Sequence, residues 1–144
     1  MPFQFESRVR YVDTDASGRI HYTSMLRHFE AAEIELMRFL GLGLTYVDQD
    51  ARGMQFPRVR VDCTYTAPVH FEDLLEITVS VERVGASSYT LGFDAAVERT
   101  AVAQGRIVVV CVDMATGRSR ALPETLADAL REYQKQTSAG VMNA

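Results

Sequence analysis

The sequence predicts an α+β domain in which a five-stranded antiparallel sheet wraps around one long helix. Residues 3–12 have the pattern of a first strand, and residues 23–40 carry apolar residues at helical spacing. Four strand-like segments follow, and the links between them are short, which favours antiparallel neighbours. One long helix cannot cover both faces of such a sheet, so wrapping the sheet around the helix is the simplest packing.

The long helix is predicted from the period of its apolar and small residues. On one face recur Met25, Leu26, Phe29, Ala32, Leu36, Met37 and Leu40. Thr23 or Ser24 offers a hydroxyl that can cap the first free amides, and Gly41 ends the helix. At 1.5 Å per residue, the helix should be about 27 Å long.

The later strands are predicted at 54–66, 74–84, 88–98 and 104–114. In the first three, apolar residues alternate with polar ones, as in a sheet with one buried face. Residues 107–112 are apolar at every position, which predicts a central strand covered on both faces. A short helical turn at 44–51 and an amphipathic helix at 123–134, with Pro123 in its first turn, complete the elements. Residues 135–144 are expected to fray.

Length and charge limit the class of protein. A chain of 144 residues is predicted to form a single domain, 1–144, that buries roughly 70% of the unfolded chain's surface. The net charge of −4 argues against non-specific binding to nucleic acid or to an anionic membrane surface. No apolar run approaches the roughly 20 residues that span a bilayer, so no membrane insertion is expected. A signal peptide is not expected either.

The cysteines and histidines give no metal-binding pattern. Cys63 and Cys111 lie in apolar strand contexts, which predicts reduced core thiols in a cytoplasmic protein. Together with the scattered His21, His28 and His70, they do not form a zinc spacing, so no metal is expected. His28 is interpreted as a packed or partly exposed helix residue, and His70 as a surface residue.

The stretch 11–30 concentrates the groups that could carry chemistry. Asp13 and Asp15 enter a turn that contains Gly18, and this turn delivers the chain to the start of the long helix. A helix N-terminus carries free N–H groups and a partial positive charge, so an anion that forms there would be stabilised. The same pattern is typical of a solvated turn and cap, so the residues alone leave both roles open. If the stretch is catalytic, Asp15, which lies nearer the helix start, is the candidate for the chemistry, and Asp13, at the strand end, is the candidate for holding the loop.

Several residues match a known family. The stretch carries the pattern Y-x-D-T-D-x-x-G, then a histidine, a tyrosine and F-E, at Tyr11, Asp13, Thr14, Asp15, Gly18, His21, Tyr22, Phe29 and Glu30. Further matches are the segments at 65–68 and 72–73, the strand that ends at Asp113, and 120–123. The chain resembles the hotdog-fold acyl-CoA thioesterases of the 4-hydroxybenzoyl-CoA thioesterase type, including the thioesterase associated with the bacterial Tol–Pal system. This implies a hotdog fold that oligomerises as a double hotdog.

The resemblance also implies the roles of site residues. Asp15 would be the catalytic carboxylate, Gly18 would shape the turn, and the backbone N–H of Tyr22 would bind the oxyanion. His21 is expected to be a polar site residue, although Tol–Pal-type relatives carry Tyr and then His at these two positions. Substrate contacts are expected from Glu30, Phe29, Phe56 and Arg83. Both hydroxybenzoyl-specific and aliphatic-acyl members carry an acidic residue at the position of Glu30, so this residue does not fix the acyl group.

The implied reaction is hydrolysis of an acyl-CoA or acyl carrier protein thioester by a homodimer or homotetramer, with no cofactor. Asp15 could activate water or attack the carbonyl itself, and the sequence leaves both routes open. A hydratase on the same fold is disfavoured because its Asn-Pro-Ile-His core is absent. A non-catalytic acyl-CoA sensor is the remaining alternative, and it would not need the Asp15 carboxylate.

Overall fold

The computed structural model describes residues 2–42 and 53–142. The strands are β1 (Phe3–Arg8), β2 (Met54–Gln55), β3 (Arg58–Tyr65), β4 (Leu74–Val84), β5 (Ser88–Val97), β6 (Thr100–Val110) and β7 (Val112–Asp113), and the helices are α1 (Ser24–Phe39) and α2 (Glu124–Met142). A 3-10 turn, Tyr11–Asp13, separates β1 from the loop before α1. The predicted helical turn at 44–51 lies outside the described residues.

Five strands form one antiparallel sheet in the order β1-β4-β5-β6-β3, and β2 pairs with β7 in a small second sheet. The predicted α+β class and five-stranded antiparallel sheet are therefore confirmed. Hairpins join β4 to β5 and β5 to β6, as short links require. The β5–β6 turn places Glu98 and Arg99 at positive φ, so β6 begins at Thr100, four residues earlier than predicted.

One face of the sheet carries the core. Leu75, Ile77 and Val79 of β4 are fully buried, and the residues between them are half-buried. On α1, the ring of Phe29 stacks on Phe93 of β5 with 4.8 Å between ring centroids. The hydroxyl of Tyr133, on α2, donates to the Val79 carbonyl oxygen at 2.6 Å, so α2 joins the same core.

The apolar run at 107–112 is covered on one face only, which corrects the prediction of a doubly covered central strand. Ile107, Val109 and Cys111 are buried, whereas the alternate residues are half-buried, and β5 is the middle strand of the sheet. Valine and isoleucine favour strands for their branched shape as well as for burial, so an apolar run does not reveal how many faces are covered.

The C-terminal helix is longer than predicted. Its buried face continues past Leu126 and Leu130 to Tyr133 and Thr137, so the helical period does not end at residue 134. The Thr137 hydroxyl donates back to the Tyr133 carbonyl oxygen at 2.9 Å. Residues 135–142, which were expected to fray, therefore continue α2. Within the described part of the chain, neither helix is long and apolar enough to cross a membrane.

Candidate active site

The loop between the 3-10 turn and α1 is closed by its own backbone. Asp15 N–H donates to the Arg19 carbonyl oxygen at 3.0 Å, and Gly18 N–H donates to the Asp15 carbonyl oxygen at 3.0 Å. Gly18 has φ +81°, a left-handed conformation that glycine adopts without a Cβ clash. Ile20 N–H donates to the Val69 carbonyl oxygen at 2.8 Å and fixes the loop to the segment before β4. The predicted turn is thus a rigid, hydrogen-bonded loop.

Asp13 is buried at the root of this loop. Its Oδ2 accepts the Arg10 N–H at 2.8 Å and lies 2.9 Å from Nε2 of His28. The other ring nitrogen of His28 lies 2.6 Å from the hydroxyl oxygen of Ser7 on β1. The Asp13 carbonyl oxygen also accepts the His21 N–H at 2.7 Å. These bonds tie β1, the loop and α1 together, which is the loop-holding role that the sequence predicts for Asp13.

Asp15, in contrast, is exposed to solvent. Its Oδ1 accepts both the Ser17 hydroxyl, at 2.5 Å, and the Ser17 N–H, at 2.8 Å. These two bonds, with smaller contributions from the nearby His21 and Arg19, hold the pKa of Asp15 below its usual value. The second oxygen, Oδ2, accepts no hydrogen bond from the residues that the structure describes. Asp15 is therefore an ionised carboxylate with one oxygen open to a ligand.

The turn into α1 leaves one backbone N–H unused. Ser24 N–H donates to the His21 carbonyl oxygen at 2.9 Å, and Thr23 N–H donates to Nδ1 of His21 at 3.2 Å. Tyr22 N–H, between them, has no acceptor among the described residues. Its peptide plane is nevertheless fixed, because the carbonyl of the same peptide unit, that of His21, is held by Ser24.

The hydroxyls at the start of α1 do not cap it, which corrects a prediction. Thr23 already has helical angles, φ −87° and ψ −17°, and its hydroxyl lies 2.8 Å from Nδ1 of His21. A capping residue normally has extended angles that turn its side chain toward the free amides. The Ser24 hydroxyl oxygen instead accepts a bond from Arg27 at 3.2 Å. The side chains of Thr23 and Ser24 therefore do not block the start of α1.

A cavity of about 200 Å³ lies between α1 and strands β3, β5 and β6. Its lining is mainly apolar, with several charged groups, and comprises Leu26, Phe29, Glu30, Glu33, Arg58, Val61, Asp62, Phe93, Arg106 and Ile107. Glu33 is buried and accepts a hydrogen bond from Arg58 at 2.6 Å. Burial raises the pKa of Glu33, and the Arg58 guanidinium opposes that rise. The cavity could hold an apolar group along the side of α1.

Comparison with protein families decides the class. The family model described as the thioesterase-like superfamily matches residues 9–130, which include the whole loop, α1 and strands β2 to β7. This chain belongs to that superfamily. The match confirms the family predicted from the sequence, its hotdog fold and its class of activity, thioester hydrolysis.

Individual members of the superfamily are similar over most of the chain. A 1,4-dihydroxy-2-naphthoyl-CoA hydrolase from Synechococcus sp. CC9605 is 32% identical over 120 residues, which are 81% of this chain and 80% of that protein. The acyl-CoA thioester hydrolase YbgC from Escherichia coli O6:H1 is 28% identical over 127 residues, 86% of this chain and 92% of that protein. The crystal structure of a 1,4-dihydroxy-2-naphthoyl-CoA thioesterase from Synechocystis has a TM-score of 0.84 at 19% identity, over 92% of this chain and 97% of that one.

The residues predicted for the site of this thioesterase-family chain lie in three places. Asp15, Gly18, His21 and Tyr22 lie in or next to the closed loop, and Phe29 and Glu30 line the cavity beside α1. Phe56 packs against the core and Arg83 lies near the end of β4 that is remote from the loop. Neither is among the described residues that line the cavity, and their predicted substrate contacts stay predictions.

Sequence reasoning missed three residues that shape the site: Ser17, His28 and Tyr65. The contact of Ser17 could have been found, because the carboxylate of an aspartate in a tight turn often accepts the backbone N–H two residues on. The sequence predicts that His28 is a packed or partly exposed helix residue; it is buried, and the sequence did not reveal that its ring bridges Ser7 and Asp13. Tyr65 reaches the loop from the end of β3, a contact between residues 43 positions apart. No local sequence pattern indicates the contacts of His28 or Tyr65.

Proposed function

We propose that this protein hydrolyses an acyl-CoA thioester, with Asp15 as the reacting carboxylate and the Tyr22 N–H as the donor to the oxyanion. The supporting observation is the pairing of an ionised carboxylate that has one open oxygen with an unused, fixed N–H at a helix start. Asp15 lies within the short segment closed by the bridge between Thr14 and Ile20, and Tyr22 follows that bridge by two residues, so both groups belong to one hydrogen-bonded loop. Relatives named for acyl-CoA substrates favour CoA as the carrier.

The chemistry follows from these two groups. In one route Asp15 takes a proton from water as the water oxygen attacks the thioester carbonyl carbon. In the other route an Asp15 oxygen attacks the carbon directly, and water then cleaves the resulting anhydride. Either way a tetrahedral oxyanion forms, the Tyr22 N–H and the positive end of α1 stabilise it, and the C–S bond breaks to release the thiolate. His21, whose Nδ1 accepts the Thr23 N–H, keeps its other ring nitrogen as a donor when neutral.

The acyl group is proposed to occupy the cavity beside α1. Phe29 lies seven residues beyond Tyr22 and Glu33 eleven, so the cavity wall extends along α1 to about 17 Å from the proposed oxyanion donor. Phe29 and Phe93 supply an aromatic wall, and Glu30 supplies a polar one. An acyl group that combines an apolar body with a polar substituent would complement this lining.

A thiol-release assay across a panel of alkyl- and aryl-CoA thioesters, with the matching acyl carrier protein thioesters, tests the proposed function. Release of one thiol for each free acid formed is expected with at least one CoA thioester. Glu30→Ala is expected to change the relative rates on aryl and alkyl substrates. Tight binding of CoA thioesters without any release would instead support the sensor alternative.

The pH dependence of activity is expected to depend on Ser17. Because Asp15 must be ionised, kcat/KM falls as the pH falls through its pKa, which the Ser17 hydroxyl bond lowers most strongly. Ser17→Ala removes that bond, raises the pKa of Asp15 and moves the acidic limb of the pH–rate profile to higher pH. Asp113, another carboxylate that accepts turn N–H groups, provides the control, since Asp113→Asn should leave the limb in place. An unchanged limb in Ser17→Ala would exclude Asp15 as the ionising group.

We further propose that the protein works as a homodimer formed at the free edge of β3. Among the residues that the structure describes, that strand pairs on one side only, with β6, and its Val59 and Val61 are 61% and 48% exposed. Tyr11, Val12 and Tyr22, around the site, are each more than 70% exposed. Apolar surface of this extent beside an open strand edge is typical of an interface.

Sedimentation at micromolar concentration is expected to show a dimer or a tetramer for the wild-type chain. Val59→Lys places a charge on the open edge and should shift the protein towards monomer, with lower activity at low protein concentration. Met114→Lys changes an equally exposed residue in a turn and should leave the assembly intact. A fully active wild-type monomer would overturn the proposed dimer.

A further inference from the structure

Tyr65 connects the sheet to the turn that carries the free N–H. Its hydroxyl donates to the Tyr22 carbonyl oxygen at 2.5 Å, across 43 positions of sequence. Tyr65 is the last residue of β3, and its backbone is paired with Ala103 of β6, so the phenol is held by the sheet. Burial, with a smaller effect of Cys63, raises the pKa of Tyr65, and the hydroxyl therefore stays a protonated donor at neutral and mildly alkaline pH.

The bond fixes the peptide unit that follows the proposed oxyanion donor. In the unit between Tyr22 and Thr23, the N–H binds His21 and the carbonyl binds Tyr65. In the preceding unit, the carbonyl of His21 binds Ser24 and the Tyr22 N–H stays open. The bonds to His21 and Ser24 are local to the turn, whereas the bond from Tyr65 sets the turn against the sheet.

The side chain of Tyr22 cannot replace this anchor. It is 72% exposed and rests on the ring of His21, with 4.5 Å between ring centroids, so it adds little burial that would hold the backbone. Without the Tyr65 bond, the turn with its local bonds can shift as a whole against the sheet, and the Tyr22 N–H moves with it. An oxyanion donor must lie within hydrogen-bond distance of the developing charge, so a small shift weakens it.

We propose that Tyr65 is a positioning residue of the reaction, which holds the Tyr22 peptide so that its N–H points at the thioester oxygen. This inference rests on the proposed function, because it assumes that the Tyr22 N–H stabilises the oxyanion. Tyr65 acts through Tyr22 and not on the substrate. Its loss should therefore reduce the rate of the chemical step more than it alters substrate binding.

Tyr65→Phe tests the proposal, because it keeps the ring and removes the hydroxyl. Complete removal of an oxyanion donor costs about 10²–10³ in kcat, and a displaced donor should cost less, about tenfold to a hundredfold. We expect that decrease in the single-turnover rate of thiol release, with KM within about twofold of the wild type. The melting temperature should change little, since Tyr65 lies at the exposed end of an edge strand.

Tyr133→Phe is the matched control. Its hydroxyl also donates to a backbone carbonyl oxygen, that of Val79 at 2.6 Å, but inside the core and away from the loop. This variant should lose thermal stability and keep the wild-type single-turnover rate. Tyr65→Phe is thus expected to lower the rate and keep the stability, whereas Tyr133→Phe is expected to keep the rate and lower the stability.

Three results would overturn the role of Tyr65. The first is a wild-type single-turnover rate in Tyr65→Phe, and the second is a raised KM with that rate unchanged, which would indicate direct contact with the substrate. The third is a loss of rate that parallels a loss of stability in both variants. A wild-type protein that releases no thiol from any thioester would overturn the proposed function instead, so the two failures are distinguishable.

Discussion

Asp15→Asn is expected to lower kcat by at least two orders of magnitude, the scale of a lost general base. Asparagine has nearly the same shape, and its carbonyl oxygen can still accept the two bonds from Ser17 that hold the carboxylate. The loop should therefore keep its conformation, and only the negative charge is removed. KM and the melting temperature are expected to stay close to wild-type values, because Asp15 is exposed and lies outside the core.

Asp13→Asn is the control for this prediction, since it makes the same chemical change two residues away. Asp13 is buried and bonded to the Arg10 N–H and to His28, and its carboxylate serves the fold of the loop. Its amide variant should lower the free energy of unfolding by about 1 kcal/mol, the scale of a weakened hydrogen bond. Its effect on kcat should be smaller than that of Asp15→Asn.

Measurements of kcat, KM and melting temperature on both variants decide between these roles. If Asp15→Asn keeps most of its turnover while Asp13→Asn loses it, the roles are reversed. Asp13 would then be the reacting carboxylate, and its hydrogen bonds to His28 and onward to Ser7 of β1 would be part of the site. The difference in exposure between the two carboxylates argues against that outcome, because a substrate can approach Asp15 without any rearrangement of the core.

The sequence predicts the helices and strands of this fold well, because the spacing of apolar residues and the short links between strands are local features of the sequence. The helix at 24–39 and the strand at 74–84 match their predicted ranges to within about one residue. The prediction that both faces of residues 107–112 are covered was wrong. An apolar run can result from strand propensity as well as from burial, so it does not show how many faces are buried. The predicted cap at Thr23 is absent because the Thr23 hydroxyl contacts His21 instead, and that contact depends on the geometry of the turn.

In the candidate site, too, the features that depend on neighbouring residues are predictable from the sequence, and the contacts between distant residues are not. The contrast between Asp13 and Asp15 follows from their places at a strand end and in a turn, which the sequence displays. The partners of the loop, His28 on α1 and Tyr65 on β3, are brought there by tertiary packing. Hydrogen bonds between distant side chains leave no periodic trace in the sequence, so they could be found only in the structure.

Gly105→Ala is expected to lower the free energy of unfolding by about 1–3 kcal/mol, the usual scale for overpacking a core. A Cβ at position 105 would lie 2.3 Å from Cε2 and 2.9 Å from Cδ2 of Phe29, and 3.1 Å from the Asp62 carbonyl oxygen. The Phe29 ring cannot move away easily, because it is 2% exposed and stacks on Phe93. Its displacement would also change the shape of the proposed acyl cavity, which it lines.

Gly92→Ala separates this effect from a general cost of replacing glycine in a strand. Neither glycine has positive φ, so alanine is compatible with the backbone at both positions. A Cβ at 92 would meet the Ser80 hydroxyl at 2.8 Å and a Glu82 carboxylate oxygen at 2.9 Å, ends of side chains that can rotate away. Urea unfolding should therefore show a clear loss of stability in Gly105→Ala and a small one in Gly92→Ala. Equal losses would mean that the strand backbone, and not the contact between Gly105 and Phe29, requires glycine at these positions.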